Sequence, residues 1–241
     1  MAALVPVQEG LIRLFARGSV IKICGLRDPQ HAAAAAASGA DLIGFIFAPA
    51  RRQVSAATAR SCISAARAAA PGRTLFSVGV FVDASSSEMA RIAREAGIDA
   101  IQLHGSETPE SLHHLPVPVL KAFRPRPGID AAHVVADINR YRSSSTPPVG
   151  ILIDGYAEGM LGGTGARADW QRAKEIGATF PFLLAGGLDP QNVGAAIREV
   201  RPLGVDVSSG VEVDGDKTAD RIEGFIQAAR KAFQDQGGHP R

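Results

Sequence analysis

The feature that most constrains the fold is an alternation between short apolar runs and longer stretches with helical spacing, repeated eight times along the chain. The short runs are rich in Val, Ile, Leu and Phe without a polar alternation, which is typical of parallel strands covered by helices. The predicted strands are residues 19–24, 41–47, 75–82, 100–104, 118–123, 149–154, 181–186 and 204–209. This pattern predicts a single α/β domain, a (β/α)8 TIM barrel of eight parallel strands with outer helices. An open doubly wound sheet is the alternative.

Helix boundary signals support the same organisation. Asp, Ser or Thr side chains and Pro residues precede or open several helical stretches, as expected at helix N-termini. Predicted helices begin near Pro29, Ala56, Ser86, Pro109, Ala131, Asp169, Pro190 and Thr218. Gly39 and Gly97 each stand where a helix would end in a left-handed residue before the next strand.

The 241 residues suit one barrel, which commonly needs about 250. We assign residues 19–232 to the catalytic barrel. Residues 1–18 are interpreted as an N-terminal extension with partial disorder, and residues 233–241 as a C-terminal tail.

Composition limits the classes of partner. The formal net charge is +2 with both signs scattered, which disfavours nucleic acid as a partner. The N-terminus lacks the features of a signal peptide, and no apolar stretch reaches the roughly 20 residues of a membrane helix. The only two cysteines, Cys24 and Cys62, indicate a reducing compartment, so we expect a cytoplasmic protein without membrane contact. The histidines show no metal-ligand spacing, and we predict no metal.

Candidate functional residues follow from the barrel, because active sites of this fold lie at the carboxyl ends of the strands. The stretch LLAGGLDPQN places Gly186 and Gly187 after the seventh strand, and VDVSSGVE places Ser208, Ser209 and Gly210 after the eighth. Backbone N–H groups and hydroxyls of two adjacent loops predict a phosphate site, although either glycine loop alone could serve only as a turn.

Cys24 and Asp154 end the first and sixth predicted strands and could face each other across the barrel mouth. A thiol becomes a base only where a cation such as Lys22 favours the thiolate, and a carboxylic acid donates a proton near neutrality only where its pKa is raised. The structural alternatives are a space-filling cysteine and a loop-capping aspartate.

Other polar side chains follow the second and fourth strands. Arg51 and Arg52 could clamp a carboxylate, although paired loop arginines are more often a solvated surface. His104 is interpreted as a polar wall residue, a hydrogen-bond partner of the acid, or a satisfied strand-end histidine. The glycine-rich loop Gly162 to Trp170 is by itself weak evidence for a nucleotide site.

Taken in order, KICG, GADLIGFIF, RRQVS, VGVFVD, IQLHGSE, ILIDG with GGTG, LLAGGLDPQNV and GVDVSSGVE resemble the phosphoribosylanthranilate isomerase family of tryptophan biosynthesis. The blocks extend from about Lys22 to about Phe225. The extension before Ser19 and the tail after Ala229 lie outside the resemblance.

The resemblance implies a cofactor-free Amadori rearrangement of N-(5-phosphoribosyl)anthranilate, a phosphosugar, to 1-(2-carboxyphenylamino)-1-deoxyribulose 5-phosphate. It implies Asp154 as general acid, Cys24 as general base, and Arg52 as the ligand of the anthranilate carboxylate, with Arg51 as the alternative. The phosphate would bind at Gly186, Gly187 and the loop 208–210, and the substrate would also contact His104 and Gly163.

Two other functions stay open from the residues alone. One is another phosphosugar-processing TIM barrel, such as indole-glycerol-phosphate synthesis, a ribulose-phosphate epimerase or the related aminoimidazole isomerase. These enzymes call for a strand-end lysine, metal ligands and two opposed aspartates respectively, whereas Cys24 ends the first strand here. The other is a non-catalytic phosphate-binding barrel. The sequence leaves monomer and homodimer both open.

Overall fold

The structure of the protein is a computed structural model that describes residues 4–155 and 169–237. Eight strands form a closed barrel in chain order, and each pairs in parallel with its neighbours, the first strand with the eighth. The strands are β1 Val20–Ile23, β2 Leu42–Ile46, β3 Phe76–Phe81, β4 Ala100–Leu103, β5 Val119–Phe123, β6 Gly150–Ile153, β7 Leu183–Leu184 and β8 Gly204–Val207. A two-stranded antiparallel hairpin of β9 Glu212–Val213 and β10 Asp216–Lys217 follows β8. The predicted barrel is confirmed, and the open sheet is excluded.

Seven helices cover the outside of this barrel in the described residues, and a further helix precedes the first strand. The helix before β1 is α1 Leu4–Arg17, and the seven outer helices are α2 Pro29–Ser38, α3 Ala56–Ala69, α4 Ser86–Ala96, α5 Ala131–Arg142, α6 Trp170–Gly177, α7 Val193–Val200 and α8 Ala219–Asp235. The cap signals act as expected: the Asp28 and Ser85 side chains accept hydrogen bonds from backbone N–H groups three residues on. Gly39 and Gly97 end α2 and α4 with φ of 107° and 71°.

Two predicted helices differ from the structure. Only a single 3₁₀ turn, Pro109–Leu112, connects β4 to β5, because the prolines at 116 and 118 disfavour helical backbone in the residues before them. Helix α7 begins at Val193 rather than near Pro190. The Asp189 side chain accepts hydrogen bonds from the N–H groups of Gln191 and Asn192, which holds this segment in a turn.

Side chains alternate between the two faces of each strand, as the pleat requires. One face belongs to the large core between strands and helices and includes Ile21, Ile43 and Ile101. The other face points into the barrel, where a smaller apolar cluster fills the end at which the strands begin. Its residues on the strands or directly after them are Val20, Leu42, Phe76, Val78, Ala100, Leu120, Ala122, Leu152, Leu183 and Ala185. Inward positions nearer the carboxyl ends of the strands are left for polar side chains.

Helix α1 completes this smaller cluster. Leu11, Leu14 and Phe15 are buried in it, and a Cβ atom added at Gly150 would lie 2.8 Å from the Phe15 ring. The Arg17 guanidinium also pairs with the Asp41 carboxylate at 2.8 Å. Residues 4–17 of the predicted extension are thus helical, and an apolar face of this helix covers the otherwise open end of the barrel.

The predicted tail also begins too early. Helix α8 continues to Asp235, and its residues Ala232 and Phe233 are buried in the large core. In the described part of the chain, no helix is long and apolar enough to cross a membrane.

Candidate active site

Three of the predicted site residues meet at the carboxyl end of the barrel. Each of these residues directly follows a strand: Cys24 follows β1, His104 follows β4 and Asp154 follows β6. Each also lies two positions after a strand residue whose side chain faces into the barrel. Their backbone N–H groups extend the hydrogen bonding between neighbouring strands: that of Cys24 donates to the Val207 carbonyl, that of His104 to Phe81 and that of Asp154 to Phe123. All three side chains are buried. The alternation of the strands therefore aims the thiol and the carboxylate into the same end of the barrel interior.

A buried ion pair lies one layer below Cys24. Lys22 Nζ lies 3.0 Å from Asp206 Oδ1, and both side chains share the inward face of adjacent strands β1 and β8. Burial disfavours the charged ammonium, but the Asp206 carboxylate and the Cys24 sulfur outweigh it and raise the pKa of Lys22. Lys22 also interacts electrostatically with the Cys24 sulfur, so it is the cation that the sequence suggested beside the thiol.

Lys22 does not lower the pKa of the Cys24 thiol below its ordinary value. Burial raises the pKa of Cys24 above its ordinary value, while Lys22 acts in the opposite direction and does not overcome it. Burial therefore favours the thiol form of Cys24, while two lysines, Lys22 and Lys217, favour the thiolate.

Lys217 is a residue that the sequence reasoning missed. It stands on β10, is buried, and donates a hydrogen bond from Nζ to the Ser208 carbonyl at 2.9 Å. Burial lowers the pKa of Lys217 to about 8, against the opposing influence of Glu212 and Cys24. No sequence signal distinguishes it from a surface lysine, because the hairpin that returns it to the barrel mouth is set by tertiary structure.

Asp154 belongs to a hydrogen-bonded chain along the inner wall. His104 Nε2 lies 3.1 Å from Asp154 Oδ2, and Gln102 Nε2 lies 2.8 Å from His104 Nδ1. The interpretation of His104 as a partner of the predicted acid therefore fits the geometry. Gln102 was not singled out from the sequence, although its position two residues before His104 places it on the same face of β4.

Arg51 and Arg52 converge on one carboxylate. Glu212 accepts hydrogen bonds from Arg51 Nη2 at 2.6 Å, from Arg52 Nη2 at 2.9 Å and from Arg52 Nε. Lys217 Nζ lies 3.6 Å from the same carboxylate. Although burial alone would raise the pKa of Glu212, the two arginines hold it below its ordinary value. Arg52 is buried whereas the Arg51 side chain is half-exposed, so Arg52 is the arginine at the barrel mouth.

The loops after β7 and β8 are in direct contact, as the predicted phosphate site requires. A Cβ atom at Gly210 would collide with the Leu188 carbonyl oxygen, and one at Gly186 would collide with the Gly155 backbone nitrogen. Gly186 and Gly187 have φ of 98° and 62°, which glycine adopts without strain. Gly210 is therefore needed where the loops after β7 and β8 meet, and Gly186 is needed where the loop after β7 meets the loop after β6.

The serines of the eighth loop lie at the same place. Ser208 Oγ is buried and makes no hydrogen bond within the described residues, and Ser209 opens a 3₁₀ turn, Ser209–Val211. A hydroxyl without a protein partner beside two glycine loops is suited to an anionic oxygen. Gly163 lies within residues 156–168, outside the described residues.

A second buried ion pair, between Lys121 and Glu107, stabilises the loop after β4. Lys121 Nζ lies 2.9 Å from Glu107 Oε2, and the Glu107 carboxylate also accepts from the N–H groups of Asp83 and Gly105. The described ranges contain no group of three or more His, Cys, Asp or Glu side chains arranged to hold a metal ion.

The fold and the site define a class of protein: a (β/α)8 barrel with a thiol, a carboxyl group and glycine-rich loops gathered at the carboxyl ends of its strands. A family model described as N-(5'-phosphoribosyl)anthranilate (PRA) isomerase matches residues 21–228. The chain belongs to this family of isomerases, which acts in tryptophan biosynthesis.

Individual relatives agree with the family match. The chain is 42% identical over 217 residues to the N-(5'-phosphoribosyl)anthranilate isomerase of Roseiflexus sp. (strain RS-1), covering 89% of this chain and 99% of the relative. The structure of the Thermotoga maritima phosphoribosyl anthranilate isomerase superposes with a TM-score of 0.74 at 32% identity, covering 88% of this chain and 98% of that one.

A further solved structure carries a ligand. It is a phosphoribosyl anthranilate isomerase in complex with reduced 1-(o-carboxyphenylamino)-1-deoxyribulose 5-phosphate, with a TM-score of 0.71, 32% identity, and coverage of 88% of this chain and 98% of that one. Because the family match begins at residue 21, helix α1 lies outside it.

Proposed function

We propose that this isomerase acts on N-(5-phosphoribosyl)anthranilate through Asp154 as general acid and Cys24 as general base. The observation that carries the assignment is that both side chains occupy inward positions at the carboxyl end of the barrel, on strands well separated around the ring. A carboxyl group on one side and a thiol on the other suit two proton transfers at different atoms of one sugar.

The proton transfers balance within one substrate. Asp154 protonates the furanose ring oxygen as the bond to C1' breaks, which opens the sugar to a Schiff base. In the reactive form the proton lies on Asp154 and Cys24 is the thiolate, which removes the C2' proton to give an enolamine that tautomerises to the aminoketose. The cycle leaves Asp154 ionised and Cys24 protonated, and passage of a proton from Cys24 back to Asp154 through solvent restores both groups. Lys22 and Lys217 stabilise the thiolate, which is the form that accepts the proton. No cofactor takes part in this sequence.

The two ends of the substrate are held by opposite parts of the barrel mouth. Gly186, Gly187 and the loop 208–210 bind the phosphate, and Gly163 contributes to the substrate contact. Arg52 binds the anthranilate carboxylate. Anchors at both ends hold the ribose between acid and base, so binding energy is used for orientation.

The assembly and compartment complete the proposal. We assign the chain to the cytoplasm as a monomer or a homodimer, without nucleic acid or membrane partners. The scattered charge and the use of only two cysteines support this assignment. Sedimentation of the purified chain distinguishes the two assembly states.

The test is the turnover of Cys24→Ala and Asp154→Asn, measured by the loss of phosphoribosylanthranilate fluorescence. We expect kcat to fall by at least about 100-fold in each variant, since general acid or base catalysis contributes about that much or more, with KM largely retained. Cys62→Ala is the matched control, because Cys62 is a buried cysteine on α3 outside the site. Near-normal turnover in either site variant would refute the assignment.

A further inference from the structure

Gln102 lies beneath the candidate acid and contacts it through one intermediary. Its Nε2 is 2.8 Å from His104 Nδ1, and His104 Nε2 is 3.1 Å from Asp154 Oδ2. Exposed fractions of 1%, 7% and 7% show that all three side chains are shielded from bulk water. The hydrogen bonds between these three side chains, rather than bulk water, therefore fix their arrangement.

The amide fixes where the imidazole proton lies. An amide nitrogen donates hydrogen bonds and accepts none, so the ring nitrogen that faces it must be the acceptor. His104 Nδ1 then carries no proton, and the single proton of a neutral imidazole lies on Nε2, which donates to Asp154 Oδ2. Gln102 Oε1 is buried without a hydrogen-bond partner in the described residues, so the contact of Nε2 with His104 is the hydrogen bond that this amide side chain makes there.

The position of the proton on the His104 ring decides which carboxyl oxygen of Asp154 can carry the acidic proton. With Oδ2 accepting from His104, a proton on Asp154 must be carried by Oδ1. A Cβ atom built at Gly186 would lie 3.2 Å from Asp154 Oδ1, so this oxygen faces the loop after β7, where the phosphosugar would bind. A doubly protonated His104 would instead place a full positive charge against the carboxyl group and favour its ionised form.

We propose that Gln102 is a positioning residue that keeps His104 neutral with its proton on Nε2, and thereby directs the acidic proton of Asp154 to Oδ1. This inference rests on the proposed role of Asp154 as the general acid. It assigns a catalytic purpose to a buried polar residue that contacts no substrate.

The charged groups near His104 come from other strands of the barrel or from the residues after them. Within the described residues, Asp206 on β8 interacts electrostatically with both His104 and Asp154, and its charge is balanced by Lys22 on β1. The strands beside Gln102 contribute the uncharged Val80 and Leu120. Asp83 and Arg124 follow β3 and β5 beyond the layer of Gln102.

The direct test is nitrogen NMR of the full chain labelled with ¹⁵N in histidine, with the His104 signals assigned by their loss in His104→Gln. We expect Nδ1 to be unprotonated and Nε2 protonated in the wild-type chain at neutral pH. In Gln102→Glu, a carboxylate replaces the donor and favours a proton on Nδ1, so both nitrogens should be protonated. A wild-type His104 with a proton on Nδ1 would overturn the proposal.

Kinetics separate a positioning role from a structural one. In Gln102→Glu, we expect the alkaline limb of the kcat/KM profile to move to lower pH by about one unit or more, with KM retained, because the charged imidazole favours the ionised carboxyl group. Gln102→Met, of similar size and without a donor, should lose kcat but keep the position of that limb. Wild-type profiles in both variants, with circular dichroism showing intact folding, would also overturn the proposal.

The Asp154→Asn variant separates the proposed role of Asp154 as the acid from the proposed role of Gln102. If this variant turns over normally while the NMR result holds, the acid assignment fails and the control of the His104 proton by Gln102 stands. If it is inactive while Nδ1 of the wild-type His104 carries a proton, the acid assignment stands and the role of Gln102 fails.

Discussion

Lys22 and Asp206 form an ion pair inside the barrel, 3.0 Å apart, directly below the thiol of Cys24. The two residues lie on β1 and β8, the strands whose pairing closes the barrel, and they are partners in register. The pairing of β1 with β8, which closes the barrel, therefore also places this ion pair next to the proposed base.

Removal of one partner of this pair should be costly. Lys22→Met leaves the Asp206 carboxylate buried and uncompensated, so the free energy of unfolding should fall by about 3–5 kcal/mol. Lys22→Met combined with Asp206→Leu should recover most of that loss, because an apolar pair needs no desolvation of charge. Urea unfolding measures both. A single variant as stable as the wild-type chain would contradict the assigned burial of the pair.

Arg52 and Arg51 should differ in their effect on substrate binding. Arg52→Ala removes the buried guanidinium, and the loss of a charge-assisted hydrogen bond of about 1.5–3 kcal/mol should raise KM roughly 10-fold to 100-fold. Arg51→Ala, the matched control, removes a half-exposed side chain and should change KM by less than about threefold. Steady-state kinetics distinguish them, and a larger effect from Arg51→Ala would transfer the carboxylate contact to Arg51.

Lys217 should give the stability of the chain a specific pH dependence. Its pKa is lowered from 10.5 to about 8 on folding, so between these values the unfolded chain binds more protons than the folded chain. The contribution of Lys217 to the free energy of unfolding should therefore rise with pH across this window. Urea unfolding from pH 7.5 to 10 measures it as the difference between the wild-type chain and Lys217→Met. Parallel pH dependences of the two proteins would show that Lys217 titrates normally.

Helix α1 should stabilise the barrel through Phe15. Phe15→Ala removes a buried ring from the apolar cluster at the start of the strands, and we expect a loss of about 3–5 kcal/mol in the free energy of unfolding. Ile12→Ala is the control on the same helix, because Ile12 is 49% exposed and should cost little. Equal effects of the two substitutions would mean that α1 does not cover the barrel as described.

The repeating architecture follows from local sequence patterns. Continuous apolar runs and helix caps such as Asp28 and Gly39 act over a few residues, so strand number, strand order and most helix starts could be read directly. The same reading placed Cys24 and Asp154 at strand ends, because one strand needs only a handful of neighbouring residues to be recognised.

The surroundings of Cys24 and Asp154 depend instead on contacts between residues that are distant in the sequence. Asp206 and Lys217 lie more than 180 residues from Cys24 along the chain, and Glu212 is 160 residues from Arg52. Their proximity follows from closure of the barrel and from the β9–β10 hairpin, which no local pattern encodes. The helical state of residues 4–17 likewise depends on the open barrel end that α1 covers, since an apolar helix face is stabilised by the surface against which it packs.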